Sequence, residues 1–408
     1  MLKHHKRNVN IMLMEILIFL MLFMPVTLQP LKAVVLLLVV VFSWYKNRKL
    51  DKSAAIFTAV YFVMMGYFLF KGWYLGGEVH YVLPSKIIFA PALVVCLILN
   101  PDFNKINFHR LFKLITLAIS LHFFIYFALF SFGAISSVMG SNLMGTFIHN
   151  YMGHTFFFSQ HITSLFFLVP FLIAMLRKKK PTITDIIVLT MAMVAIILIG
   201  RRALTLLVIL SAVLVICSKM KKSTAIITIG VLTLAGLLLA NPLLEFAVNT
   251  FGLDADRFGS LEVLFSMDGP RVEQMQALLN GLVANNFLGQ GFGINAYGSI
   301  RSDIPGVYEM TYFALLFQLG IFGFIILIGF YLFLVSSLIK NKHVFAYPIL
   351  IGLVMMLLAE FTNPYLGSFD YIWLLFMPLG FRKFKLGTKR VVVTIKPLIN
   401  LAQKEAAL

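Results

Sequence analysis

The stretch TYFALLFQLGIFGFIILIGFYLFLVSSL, Thr311 to Leu338, runs for 28 residues without a charged side chain. As a helix it would rise about 42 Å, more than the roughly 30 Å of hydrocarbon in a bilayer. The pattern repeats along the chain: apolar runs at 11–28, 31–45, 53–71, 85–100, 111–132, 155–176, 185–200, 203–218, 224–240, 343–360 and 369–381 reach or approach membrane length. Two pairs read as tight hairpins, one broken at Gln29-Pro30 and the other at Gly200-Arg201-Arg202. Of the 408 residues, 60% are hydrophobic and 12% charged, and the mean hydropathy is +0.94. Such a chain is solvated by lipid. The expected fold class is an all-α polytopic membrane protein of about twelve transmembrane helices.

A net charge of +18 in a soluble protein would point to nucleic acid. Here the basic residues sit in the short segments between apolar runs, where they set orientation instead. With the N-terminus inside, 26 of the 34 lysines and arginines fall in cytoplasmic segments. The outer eight are Lys32, Lys71, Lys86, Arg201, Arg202, Arg257, Arg271 and Arg301. Both termini are therefore expected in the cytoplasm, and no nucleic-acid partner is expected. The basic start (Lys3, Lys6, Arg7) has no small-residue cleavage site behind it and reads as the flank of a retained first helix. Cys96 and Cys217 each lie in an apolar run and imply neither a disulfide framework nor a zinc site.

The loops are unequal. Residues 1–240 carry helices one to nine, 241–310 form a long outer loop subdomain, 311–390 carry helices ten to twelve, and 391–408 are a cytoplasmic tail. Loops of that length in compact proteins are usually functional. Within this one, Asp268-Gly269-Pro270 offers an N-cap acceptor and a first-turn proline. Behind it Val272, Met275, Leu278, Leu279 and Leu282 recur at helical spacing while Arg271, Glu273, Gln274 and Gln276 are polar. That predicts an amphipathic helix on the outer membrane surface or packed on the bundle. It stops near the glycine turn Gly289-Gln290-Gly291-Phe292-Gly293. A second outer loop, 133–154, is rich in Gly, Ser, Asn and His.

An arginine on the outer side runs against the topological bias and is costly beside hydrocarbon unless partnered. Arg201 and Arg202 could snorkel to headgroups or bind an anion at the membrane surface. Arg271 opens the loop helix, where a cation opposes the helix dipole; pairing with Glu273 or Glu262 is the alternative to a functional role. Arg257 and Arg301 stand near Asp254, Asp256 and Asp303 and read as loop ion pairs. Glu309 immediately precedes an apolar helix and would lie at the membrane boundary. It could complement the helix dipole, serve as a general base, or do both. Glu15 and Glu360 lie within or at the ends of spans. His149, His154 and His161 are spaced by 5 and 7 residues, which fits no single helical face, and no metal site is expected. The GxGxG spacing of Gly289, Gly291 and Gly293 is a weak phosphate signal without a preceding strand or nucleotide domain.

Taken in order, the second half resembles the superfamily of O-antigen polymerases and ligases, bacterial envelope glycosyltransferases with a GT-C-like helical architecture. The likeness rests on Gly200-Arg201-Arg202-Ala203-Leu204, on Arg271 opening a helix, and on Asn286-Phe287-Leu288-Gly289-Gln290-Gly291-Phe292-Gly293. It ends with Glu309-Met310-Thr311-Tyr312-Phe313 running into Gln318-Leu319-Gly320-Ile321-Phe322-Gly323. It covers residues 190–330 by motif and the first half only through helix count. Phe287 stands where the family usually has proline. Glu309 stands where ligases have histidine, which favours a polymerase.

The resemblance implies a membrane glycosyltransferase that joins undecaprenyl-diphosphate-linked repeat units into an O-antigen or capsule-like polysaccharide, at the periplasmic face of the bacterial inner membrane. Glu309 would be the base, and Arg201, Arg202 and Arg271 would bind the diphosphate. Gly289, Gly291, Gly293 and Tyr312 would support the loop. No cofactor or metal is implied; the expected partners are the lipid-linked glycans, the bilayer and a chain-length regulator. A ligase moving glycan onto lipid A-core and a lipid-linked sugar flippase are the alternatives. A carrier with two six-helix halves would have a longer cytoplasmic middle than 177–184.

Overall fold

The computed structural model describes residues 9–25, 27–44, 52–79, 88, 90–132, 146–151, 154–177, 181–199, 202–218, 220, 270–296, 308–339, 341–361 and 368–381. Among the described residues are twelve α-helices: α1 (Val9–Phe23), α2 (Gln29–Trp44), α3 (Lys52–Tyr74), α4 (Ala90–Ile98), α5 (Phe108–Ser131), α6 (Leu165–Met175), α7 (Ile183–Ile199), α8 (Arg202–Cys217), α9 (Pro270–Ala284), α10 (Thr311–Ile339), α11 (Ala346–Ala359) and α12 (Ile372–Gly380). Eleven of them overlap the predicted spans. The twelfth, α9, is the helix expected in the long loop, and the predicted span 224–240 lies outside the described residues.

Three helices, Lys52–Tyr74, Phe108–Leu129 and Thr311–Ile339, are long and apolar enough to cross a membrane. Only 28%, 39% and 33% of their apolar windows are buried inside the protein. The rest turns large side chains outward: Val63 is 73% exposed and Phe322 74%. Apolar surface on that scale is unfavourable in water and suited to lipid. The chain has the character of a membrane protein.

Two of the short helices are almost wholly buried. In α12 every residue is buried, and in α6 every residue but Ile173. A helix apolar on all sides is a core helix, and α6 packs on α11, α8 and α5. Phe112 of α5 meets Phe171 with ring centroids 4.8 Å apart and Phe167 at 5.6 Å, both edge-on.

Helix ends meet in two sets. At one end, Ser164 before α6 donates to the Leu22 carbonyl of α1 at 2.5 Å, and Lys32 in the first turn of α2 pairs with Asp370 before α12 at 2.5 Å. There too Tyr312 at the start of α10 donates to the Leu357 carbonyl near the end of α11 at 2.7 Å. At the other end, Asn10 of α1 donates to Asp102 between α4 and α5 at 3.3 Å, and Lys113 early in α5 donates to Asp185 in α7 at 2.9 Å. Arg177 after α6 lies 4.5 Å from the Tyr347 ring of α11. Successive helices in the first half therefore alternate in direction.

Three boundaries differ from the sequence reading. The first hairpin does not break at Gln29-Pro30: α1 stops at Phe23 and α2 starts at Gln29. Pro25 disfavours a helical Met24, whereas Pro30 sits in a first helical turn, where its missing N–H costs nothing. The predicted span 155–176 is α-helical only from Leu165, after a 3-10 turn at Gln160–Ser164. Its first residues form strand β2 (His154–Ser159), antiparallel to β1 (Thr146–Tyr151), with Tyr151 opposite His154. Three successive phenylalanines, Phe156 to Phe158, suit a strand as well as a span. Finally, α10 is not one continuous rod, because Gly320 has φ 67° and ψ 178°.

Candidate functional site

The loop helix α9 begins at Pro270, as the first-turn proline predicts, and packs on α10 rather than lying free. Its buried stripe is Gln274, Leu278 and Leu282, with Gly281 against the Phe317 ring. Gln274, one of the polar residues of the amphipathic pattern, is fully buried in the structure. The reason is a backbone need. A helix N-terminus leaves unsatisfied amides, and Gln274 Oε1 accepts from the amides of Glu309 at 3.0 Å and Met310 at 3.1 Å, just ahead of α10. This carboxamide fastens α9 to the strip that carries Glu309. Arg271 lies one turn before Gln274 in α9, and Glu309 is half-buried.

Beneath this contact the glycine turn forms a three-way junction. The break at Gly320 frees carbonyls of α10 from the helical ladder, and the loop takes them up: Gln290 N donates to Phe317 O at 3.0 Å and Gly291 N to Gln318 O at 2.8 Å. In exchange Ile321 N donates to Phe287 O at 3.2 Å. On the other side Phe292 N donates to Phe68 O of α3 at 3.1 Å, and Glu78 N donates to Gly293 O at 3.0 Å. The amides of Gln290, Gly291 and Phe292 are thus spent on protein carbonyls and are not open to a phosphate. The glycines allow close approach. At Gly291, φ is +87° and an added Cβ would stand 2.5 Å from Gly72 Cα.

Two tyrosines complete the neighbourhood. Tyr308 is buried; its hydroxyl accepts from Ala296 N at 2.7 Å and donates to Ile294 O at 3.0 Å, tying the loop to the start of α10. Burial pushes its phenol above the usual range. Tyr312 rests on Phe361, ring centroids 4.5 Å apart, besides its bond to Leu357 O. Glu360, one turn beyond Leu357, is buried at the end of α11.

The chain matches no known family model, curated protein or solved structure. The structure brings together α9, Glu309, the glycine turn and Tyr312. Arg202 opens α8, which packs on α6 and α11, and α11 in turn packs on α10. Arg201 and the side chains of Arg202 and Arg271 lie outside the described residues. His149 and His154 fall on the hairpin, and the buried His161 faces His122 edge-on with ring centroids 4.4 Å apart.

The sequence reading counted Lys32 as an outer cation and gave it no partner. It is fully buried, with Nζ 2.5 Å from Asp370 Oδ1 and 2.6 Å from the Met24 carbonyl, while Gln29 Nε2 donates to Asp370 Oδ2 at 2.7 Å. Beside it Ser164 Oγ and the Tyr371 hydroxyl are 3.1 Å apart. The available signal was a lysine inside the apolar run 31–45 with no carboxylate nearby in sequence.

Proposed function

We propose that this protein is a membrane glycosyltransferase that joins lipid-diphosphate-linked oligosaccharide repeat units into a polysaccharide. In this reading the chain crosses the bacterial inner membrane about twelve times with both termini in the cytoplasm, and the end carrying Glu309 faces the periplasm. One observation carries most weight: Gln274 fastens the helix that bears Arg271 to the backbone of Glu309. A cation for a diphosphate and a carboxylate for a hydroxyl are thereby set on adjoining elements at one end of the bundle.

The chemistry needs both. The acceptor hydroxyl oxygen forms a bond to the anomeric carbon of the donor sugar, the bond from that carbon to the diphosphate oxygen breaks, and the lipid diphosphate leaves. Glu309 takes the hydroxyl proton. Arginine suits the leaving group through permanent charge and paired hydrogen bonds, and stabilising that charge is commonly the largest catalytic contribution. Arg201, Arg202 and Arg271 are assigned to it. Because both substrates keep their lipid tails in the bilayer, a helical bundle is the natural scaffold.

Glu309→Ala should reduce chain elongation by about 10²-fold or more, the usual range for loss of a general base. The fold should persist, since Gln274 holds the amide of Glu309 rather than its carboxylate. Arg271→Ala should abolish elongation as well, with both variants at normal levels in the membrane. Gel analysis of envelope polysaccharide from a deletion strain tests the reading. Single repeats in place of long chains support it. Finished polymer stranded on the carrier lipid would indicate a ligase, and lipid-linked repeats trapped on the cytoplasmic side a flippase.

A further inference from the structure

We propose that Gln274 binds substrate: its carboxamide amino group receives an oxygen of the lipid-linked glycan beside Glu309. This rests on the glycosyltransferase reading and adds a residue to its site. The orientation of the carboxamide is fixed by its neighbours. Both of its contacts are amide donors, from Glu309 at 3.0 Å and Met310 at 3.1 Å, so the atom facing them must be the oxygen. A flipped carboxamide would set donor against donor. The amino group therefore points away from the α10 backbone. It has no hydrogen-bond partner among the described residues, although Gln274 is fully buried.

That combination is unusual. A buried amino group without an acceptor carries a desolvation penalty, and native structures seldom leave one. The capping of α10 uses only the oxygen, so the amino group, set in the stripe with Leu278 and Leu282, is not accounted for by it. The surplus donor sits next to the strip that carries Glu309 and one helical turn from Arg271. The ligand it suits is an oxygen acceptor. In the proposed reaction that is either a diphosphate oxygen of the donor or a hydroxyl of the acceptor sugar.

Two substitutions separate this role from capping. Gln274→Glu keeps an oxygen for the amides of Glu309 and Met310 and removes the donor. Gln274→Met removes both. Purified protein in lipid nanodiscs is assayed for binding of undecaprenyl diphosphate and for the KM of an undecaprenyl-diphosphate-linked repeat, with a thermal melt as the control for folding. We expect Gln274→Glu to stay folded at the assay temperature, with a melt lowered by the buried carboxylate, and yet to lose about 10- to 100-fold in one of the two, the range for a lost hydrogen bond to a charged or buried group. Weaker binding of bare undecaprenyl diphosphate assigns the contact to the diphosphate, and a raised KM with bare-lipid binding unchanged assigns it to the sugar. If Gln274→Glu matches the wild type in both while Gln274→Met is impaired, Gln274 is only a cap and the proposal is overturned. A wild-type protein that binds neither probe overturns the glycosyltransferase reading itself, and this inference with it.

Discussion

Asp370→Ala is expected to lower the melting temperature of the purified protein sharply and to reduce its level in the membrane. Lys32 is fully buried and its Nζ reaches only 2.5 Å to the Asp370 carboxylate. Removing one partner of a buried pair leaves an uncompensated charge, which costs about 3–5 kcal/mol. It also frees Gln29, whose amide now donates to the other carboxylate oxygen at 2.7 Å, so the turn between α1 and α2 loses its tie to the start of α12. Lys32→Met should be harmful in the same direction, because the carboxylate would keep Gln29 and lose its counter-charge. The double variant Lys32→Met with Asp370→Leu should recover most of the loss, since well-packed apolar replacements of buried pairs are often neutral or stabilising. Additive damage in the double variant would show that the pair itself is not the source of the effect.

Gly291→Ala should come next in size. At φ +87° an alanine meets left-handed strain of about 1–2 kcal/mol. Its Cβ would also lie 2.5 Å from Gly72 Cα and 2.8 Å from Phe68 O. Those neighbours are backbone atoms of α3 and cannot rotate aside, so the turn itself must shift. Overpacking adds about 1–3 kcal/mol. The displacement would strain the bonds from Gln290 and Gly291 to α10 and from Phe292 to α3. Activity should fall with stability, because the same junction underlies the strip leading to Glu309. Gly329→Ala in α10 is the control: nothing lies within 4 Å of its added methyl, and in a helix the exchange should stabilise by roughly 0.5–1 kcal/mol. Equal melting temperatures for the two alanine variants would remove the junction from the explanation.

How much of this was legible in the chain depended on how local the physics is. The long uncharged run into α10 needed nothing beyond its own composition, and Pro270 marked the start of α9 through its effect on one turn. Glu309 stood out because it adjoins an apolar helix. Gln274 was misread because its burial is driven by amides 35 residues away, and a helical wheel of apolar positions does not register that demand. Lys32 and Asp370 are separated by 338 residues, so their pairing depends on the packing of α2 against the approach to α12. The glycine turn was visible as a motif but ambiguous in meaning. Its role became plain only when its amides were found bonded to α10 and α3.

The most direct test is reconstitution. Purified protein in liposomes is supplied with undecaprenyl-diphosphate-linked repeat units as the only glycan, and the lipid-linked products are resolved by gel. We predict a ladder of lengthening chains with one undecaprenyl diphosphate released per added unit, and no ladder from folded Glu309→Ala or Arg271→Ala protein. A full ladder from Glu309→Ala, or no product until a lipid A-core acceptor is added, would contradict the assignment.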